Sequence, residues 1–413
     1  MSKKYHHLDD PHYSLVPPEK EVGYALYKSI AFGFKNAAHG RGIFAGETDG
    51  YAYHGLGFGN PTVHEFERKM AEGEGSGDTA FDALATASGM SAIDLLTRFL
   101  CLAGDRKEMV SSPKIYGGTY YYLNELAPKM GVGARFVSDP YDLEQWRSLI
   151  TSRTACLLLE TPANPHADVF DIAAYAKLAR EYDIPLVVDN TIATHALQRP
   201  LSLGADIVIV SASKGINGHS TGLGGIIVAK KELIAELRNT WGVGVRAVMD
   251  PDCAHRMLHG LNDLEVRMHR HSENALALAE YLQKSPKVRE VHYPFLDTCK
   301  HHDIAQQQMS GGGPLLGVTL RGTLEDAERF IDALTKDGTV IQAPHICHEK
   351  TLAVHPASTT HARVPEEERI SLGISDTFIR VSTGTEDAPE FREVVNVFAH
   401  ALAKMSANGR HKK

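Results

Sequence analysis

The sequence predicts an α/β fold: a parallel or mixed sheet between layers of helix, an arm before it and a smaller α+β unit after it. Three observations predict this. The middle third alternates short apolar runs with stretches of helical period. The first 60 or so residues are rich in Gly, His and Tyr and carry little periodicity. Beyond about His259 a long helical stretch opens a second pattern of strands and helices. The expected organisation is an extended arm over 1–60, an α/β domain over 61–258 and an α+β domain over 259–413. A chain of 413 residues has room for two or three such units.

From Pro61 onward the elements read in order. VHEFERKMAE suits a helix. Ser88 to Leu102 places Met90, Ile93, Leu96 and Leu100 on one helical face. Ala155 to Leu159 is a short apolar run ahead of ETPANP. Asp171 to Tyr182 sets Ile172, Tyr175, Ala176 and Ala179 on one helical face. Ile184 to Val188 runs into Asp189, and Ala205 to Val210 runs into Ser211-Ala212-Ser213-Lys214. Gly225 to Ala229 is a further strand. Continuous apolar runs suit strands buried on both faces. In such sheets ligands bind beyond the carboxyl ends of the strands, and the polar residues here fall at those ends: Glu160, Asn164, Asp189, then Ser211 to Lys214. In the last part, residues 261–283 read as one long helix. GPLLGVTL and FIRVST read as strands, and LEDAERFIDALT and EFREVVNVFAHALAKM as helices.

Composition narrows the function classes. A net charge of −8 offers no basic footprint for nucleic acid. No apolar run is long enough to span a membrane, and MSKKYHHLDDPHYSL lacks the apolar core of a secretory signal. The five cysteines are widely spaced with no CxxC, which argues for a reduced cytoplasmic protein rather than a disulfide scaffold or zinc site.

Four segments carry candidate chemistry. Lys214 follows a buried strand and precedes the glycine-rich KGINGHSTGLGG. Burial lowers a lysine pKa and makes the amine a nucleophile for carbonyl compounds; a solvated loop lysine suits the segment equally well. Ser211 and Ser213 offer hydroxyls to an anion. Asp189 closes the strand PLVVD, where a carboxylate could face the ring nitrogen of pyridoxal phosphate (PLP) or simply cap a turn. Ser88-Gly89-Met90 opens a helix, whose free N–H groups and dipole suit a phosphate; plain capping is the commoner use of such a pair. Tyr116 precedes two glycines and could lie on a flat cofactor or belong to a turn. His345, Cys347, His348 and Glu349 read as pocket or surface residues in preference to a metal cluster. His255 and His259 read as helix-face residues, and His301-His302-Asp303 as a solvated turn.

Together these segments resemble the Cys/Met-metabolism family of PLP enzymes, which includes cystathionine γ-synthase, cystathionine γ- and β-lyases, methionine γ-lyase and O-acetylhomoserine sulfhydrylase. The resemblance rests on GNPT (59–62), SGMSAI (88–93), YGGTY (116–120), ETPANP (160–165), VVDNT (187–191), SASKGINGHS (211–220), HPASTTH (355–361) and GISDTFIRVSTGTED (373–387), in that order along the chain. It implies the PLP-dependent transferase fold of type I, aspartate-aminotransferase-like, and a homotetramer built as a dimer of dimers. It implies that Lys214 holds the cofactor as a Schiff base and moves protons, and that Asp189 pairs with the ring nitrogen. By the same resemblance, Ser88, the Gly89 and Met90 amides, Ser211 and Ser213 hold the phosphate. Tyr116 stacks on the ring and serves as acid or base, Asn164 lies by the phenolic oxygen, and Arg380 clamps the substrate carboxylate.

The departures concern the substrate. Family members carry Tyr-x-Arg just before GNPT, whereas this chain has Gly55-Leu56-Gly57-Phe58; Tyr51, Tyr53, His54 and Arg41 are the nearest substitutes. The family's SLG, about ten residues before HPAS, gives way to His345-Ile346-Cys347. Gly118 stands where methionine γ-lyases have cysteine. The reaction implied is γ-elimination on a γ-substituted L-amino acid with an unusual, non-sulfur side chain. His345 and Glu349 would then recognise a polar or cationic group such as the guanidino-oxy group of canavanine. γ-Replacement, as in a sulfhydrylase or cystathionine γ-synthase, is the alternative. A nicotinamide enzyme would need GxGxxG after a strand, and GLGFGN at 55–60 has no strand before it. A non-catalytic relative acting as a binding subunit fits poorly with the retained Lys214, Asp189 and Arg380.

Overall fold

A computed structural model describes residues 22–57, 59–242, 247–360, 362 and 366–405. Phe58, His361, the N-terminal MSKKYHHLDDPHYSL and residues 406–413 lie outside the described residues. The larger sheet contains β1 (Phe81–Thr86), β2 (Glu108–Ser111), β3 (Gly133–Phe136), β4 (Thr154–Glu160), β5 (Leu186–Asp189), β6 (Ile207–Val210) and β7 (Gly225–Lys230), in the order β1-β7-β6-β5-β4-β2-β3. It is mixed: β7 runs antiparallel to β1 and β6, and the strands from β6 to β3 are parallel. Alternate side chains enter separate cores. Val208 and Val210 pack with Phe66 and Met70 on one face. Ile207 and Ile209 pack with Ile93 and Leu96 on the other.

This confirms the α/β class and the strands read at β4 to β7. Three strands, β1 to β3, had no counterpart in the sequence reading. They are outer strands: β1 and β3 are the edges, and β2 pairs with β3. There the buried Glu108 pairs with the more exposed Arg135 and Arg153, at 3.0 and 3.2 Å.

The arm is not wholly extended. A helix spans Ala37–Ala45, capped by the Asn36 side chain and ended by Gly46 in the left-handed region. The GNPT segment fastens the arm to the sheet layer. Asn60 Oδ1 caps the helix Pro61–Glu74 by accepting from Thr62 N at 2.9 Å. Its Nδ2 donates to the carbonyls of Tyr27 and Ser29 at 2.7 and 3.0 Å.

The second sheet holds β8 (Val288–His292), β9 (Leu315–Leu320), β10 (Ile341–Gln342), β11 (Leu352–Val354) and β12 (Phe378–Ser382), in the order β10-β11-β12-β9-β8. Its core joins Val318, Ile379 and Val381 to Phe330 and Phe398 of the helices Leu324–Leu334 and Ala388–Lys404. Strand alternation then turns Arg380 to the opposite face. The long helix read over 261–283 is two helices, Pro251–Asn262 and Leu264–Leu282, so the expected boundary at 258/259 falls inside the first. Arg267 makes the joint: it donates to Asp263 Oδ1 at 2.8 Å, to Gly260 O, and to Gly215 O at 2.8 Å. The joint is thereby tied to the loop that follows Lys214.

Candidate active site

Three neighbouring parallel strands end on one crevice. β4 delivers Glu160, β5 delivers Asp189 in register with it, and the turn after β6 delivers Ser211 to Lys214. Glu160 is buried and accepts from the amides of Asn164 at 2.8 Å and Tyr116 at 2.5 Å. That one carboxyl therefore orients the ETPANP turn and the start of the Tyr116 segment. Asp189 keeps a face on the crevice and is otherwise enclosed by protein. Its carboxylate accepts from Thr191 N and Oγ1, at 3.0 and 2.5 Å. No cation pairs with it among the described residues. Burial raises its pKa to about 6, and burial beside Asp189 holds the Glu160 carboxyl well above the usual carboxylate range.

The helix Gly89–Leu102 opens on the same crevice. Ser88 caps it, its Oγ accepting from Ser91 N at 3.1 Å. The helix offers no partner for the Gly89 and Met90 amides. Two glycines permit the fit. A Cβ on Gly89 would stand 2.8 Å from that of Ser211, and a Cβ on Gly225 would stand 2.2 Å from the Ser88 carbonyl oxygen. Ser213 is committed to the backbone: its Oγ donates to Gly224 O at 3.1 Å and accepts from Gly224 N at 2.9 Å.

Lys214 is half-buried. Its Nζ stands 2.9 Å from His345 Nδ1. Burial lowers its pKa, and the Arg380 charge lowers it further against an opposing pull from Cys347. Burial and the Lys214 charge hold His345 at about 4. Arg380, buried on β12, reaches Asn164 Oδ1 at 3.4 Å and the His345 carbonyl at 3.2 Å. No carboxylate pairs with it among the described residues. Tyr116 stands at the mouth, half-exposed, with its ring over Gly118; a Cβ at 118 would meet that ring.

The crevice thus gathers Ser88, Gly89, Met90, Tyr116, Asn164, Asp189, Ser211, Ser213, Lys214 and Arg380. Glu160, which the sequence places at a strand end without a role, also lines it, as do Thr191 and Leu223, which carry no sequence expectation. Their signal was position: Glu160 ends a strand, and Thr191 lies in VVDNT. Glu349 departs from expectation. It lies on the exposed surface with its Oε2 3.5 Å from His219 Nδ1, outside the crevice. Cys347 is buried at a positive φ and bonded to Ser382 Oγ through its amide, which turns the chain so that neighbouring side chains diverge. His301 is not a free turn residue: its ring stacks on Tyr141 at 3.9 Å. His255 serves the arm, its Nε2 lying 3.1 Å from the Tyr24 carbonyl. None of Arg41, Tyr51, Tyr53 or His54 lines the crevice of its own chain; His54 is buried against the Met249 carbonyl at 2.8 Å.

The family model described as "Cys/Met metabolism PLP-dependent enzyme" matches residues 14–402. An O-succinylhomoserine sulfhydrylase of Pseudomonas aeruginosa is 37% identical over 91% of this chain and 90% of that protein. An L-methionine gamma-lyase of Pseudomonas putida is 37% identical over 94% and 93%. An O-acetyl-L-homoserine sulfhydrylase of Leptospira meyeri is 35% identical over 88% of each chain.

The crevice fits pyridoxal phosphate on three grounds of its own. An enclosed carboxylate without a cation awaits a protonated ring nitrogen. A helix start with free amides, shaped by glycines, suits a phosphate. An amine of lowered pKa suits an aldehyde. The Gly225 contact yields a direct expectation. In Gly225→Ala the Ser88 turn has to move, and apoprotein titrated with pyridoxal phosphate should bind it about tenfold more weakly, a loss of about 1.4 kcal/mol. Unchanged affinity would dissociate the helix start from phosphate binding.

Proposed function

The chain belongs to the Cys/Met metabolism PLP-dependent enzyme family, and from that premise we propose that it catalyses γ-elimination on a γ-substituted L-amino acid with a non-sulfur leaving group. It is a PLP-dependent enzyme acting at the γ-carbon of an amino acid. In our reading Lys214 anchors the cofactor and Asp189 pairs with its ring nitrogen. The Gly89 and Met90 amides with Ser88 and Ser211 hold its phosphate, while Ser213 braces the Gly224 backbone beside them. Tyr116 covers its ring and serves as acid or base, and Asn164 lies by its phenolic oxygen. When bound, the cofactor supplies the electron sink that makes protons on the substrate's α- and β-carbons removable.

The chain's own residues do the rest. Arg380 receives the substrate carboxylate through its fork, and the low-dielectric setting strengthens that pair. Lys214 takes the α-proton, gives it back to the carbon skeleton at a different carbon, and as a free amine again takes a β-proton; burial and the Arg380 charge lower its pKa and so favour the free amine that each removal needs. Leaving-group departure completes the elimination, and hydrolysis yields a 2-oxo acid and ammonia. The observation that carries this reading is the buried Arg380, with no carboxylate partner among the described residues, in the same crevice as the Lys214 amine: a carboxylate receiver and a base lining one site.

The non-sulfur side chain is supported by His345, which stands against Lys214 where the family has SLG. Glu349 gives it no support from its surface position. Canavanine is the test case. Purified enzyme should release hydroxyguanidine from it, measured beside O-acetylhomoserine. Turnover of O-acetylhomoserine alone would overturn the guanidino-oxy side chain. γ-Replacement is the second reading, favoured by the sulfhydrylases among the relatives; formation of a sulfur amino acid when sulfide is added would select it. We also propose a homotetramer built as a dimer of dimers, in which neighbouring copies cover the exposed Ile30, Phe34, Phe44 and Leu56 of the arm. A cytoplasmic setting suits the free state of all five cysteines.

A further inference from the structure

We propose that His345 is the acid that protonates the departing γ-group, recharged by a proton from Lys214, and that the enzyme's substrates are those whose γ-group leaves only when protonated. This rests on the γ-elimination reading above and names its leaving-group class: alkoxy and oxyguanidine types rather than carboxylate esters.

The geometry is specific. His345 sits on the segment between β10 and β11, flanked by Pro344 and Ile346 of the crevice wall. Its Nδ1 is 2.9 Å from Lys214 Nζ, and its carbonyl accepts from the same Arg380 that awaits the substrate carboxylate. Base, imidazole and carboxylate receiver are therefore indexed to one another. An Nδ1 that accepts from the Lys214 ammonium leaves the ring proton of a neutral imidazole on Nε2. The charged or titratable groups acting on the ring are Lys214, Arg380 and His348; the Cys347 thiol, pushed up to about 12, adds no charge at neutral pH. Burial first, and then these three neighbours, keep the ring neutral while Lys214 is protonated.

The proton balance closes. Lys214 removes a β-proton and becomes an ammonium, and the electrons of the broken C–H bond form the Cβ–Cγ double bond. As the Cγ–X bond breaks, its pair leaves with X. X takes the proton from Nε2 while Nδ1 takes one from Lys214 Nζ. The products are HX, a free Lys214 amine and a neutral imidazole of the other tautomer, which resets by exchange with water. General acid catalysis matters only when the leaving atom is more basic than the acid. A carboxylate, whose conjugate acid has a pKa of about 4, departs unaided; an alkoxide does not.

The test compares wild type with His345→Gln on O-acetylhomoserine and an O-alkylhomoserine. The ratio of kcat for the alkyl to the acetyl compound should fall by about 100-fold, with the KM of both little changed. Equal losses on both compounds would overturn the proposal and leave His345 a structural prop. Wild-type turnover of the acetyl compound alone would overturn it while the lyase reading stands; turnover of neither would sink both. A second readout needs no turnover. In apoprotein carrying isotope-labelled histidine, NMR titration should show the His345 pKa about one unit higher in Lys214→Ala than in wild type, because a depressing charge is gone. An unmoved titration would show that ring and amine do not share a proton.

Discussion

Lys214→Ala should lose about 10⁴-fold or more in kcat while keeping its fold. The size follows from two duties held by one amine. In the proposed mechanism Lys214 anchors the cofactor covalently and takes protons from the substrate, and among the described residues no other lysine lines the crevice. The fold should survive because the side chain belongs to no apolar cluster, and the turn is held by backbone: Lys214 N donates to Ser211 O at 3.1 Å, and Asn217 N to Ala212 O at 2.9 Å. Circular dichroism and the melting temperature of the apoprotein should therefore match wild type. Small primary amines added to the variant should restore part of the rate, since they can replace a base but not a tether. Borohydride reduction followed by peptide mass analysis should find the cofactor on the Lys214 peptide in wild type and on no peptide in the variant. Retained turnover, or a cofactor fixed elsewhere, would remove Lys214 from the centre of the mechanism.

The part of this site legible in the sequence is the part built on doubly buried strands. β4, β5 and β6 are apolar almost throughout because both faces are covered, so the polar residues that end them stand out: Glu160, Asp189, and Ser211 to Lys214. β1 to β3 lie outside that centre and carry mixed residues, which a period search passes over. The helix Ala37–Ala45 was hidden by Gly40 and Gly42. Propensity disfavours them, yet the neighbouring side chains sit close against them: a Cβ on Gly40 would stand 2.9 Å from the Phe34 ring, and one on Gly42 would stand 2.5 Å from Thr48 Oγ1. The His345–Glu349 segment misled for a different reason. Nearness along the chain suggested one polar patch, but its side chains diverge around the buried Cys347, sending His345 to Lys214 and Glu349 to the surface. Contacts between β10–β11 and the loop after β6 are long-range, and no local pattern encodes them.

Asp189→Asn should change activity and stability in opposite directions. Turnover should fall by about 10³-fold, the scale of removing one preorganised electrostatic partner from a reacting system. The apoprotein should nonetheless become more stable at neutral pH. The pKa of Asp189 is raised from 3.8 to about 6 because it is enclosed without a cation. Below about pH 4 both folded and unfolded chains hold that proton and no penalty exists. As pH rises toward about 6 the unfolded chain ionises first, and folded stability drops by on the order of 1–3 kcal/mol. An asparagine never ionises, keeps an oxygen for the Thr191 bonds, and relieves the like charge that raises Glu160. Its apoprotein should melt several degrees higher at pH 7 and no higher at pH 4. Cofactor reverses the sign, because a protonated ring nitrogen pairs with aspartate and not with asparagine, so the rise in melting temperature on adding pyridoxal phosphate should shrink in the variant. A variant less stable as apoprotein at pH 7 would mean that Asp189 is held by Thr191 as a structural carboxylate. A gain at pH 7 that vanishes at pH 4 would identify it as a charge kept, at a cost in stability, for the cofactor it meets.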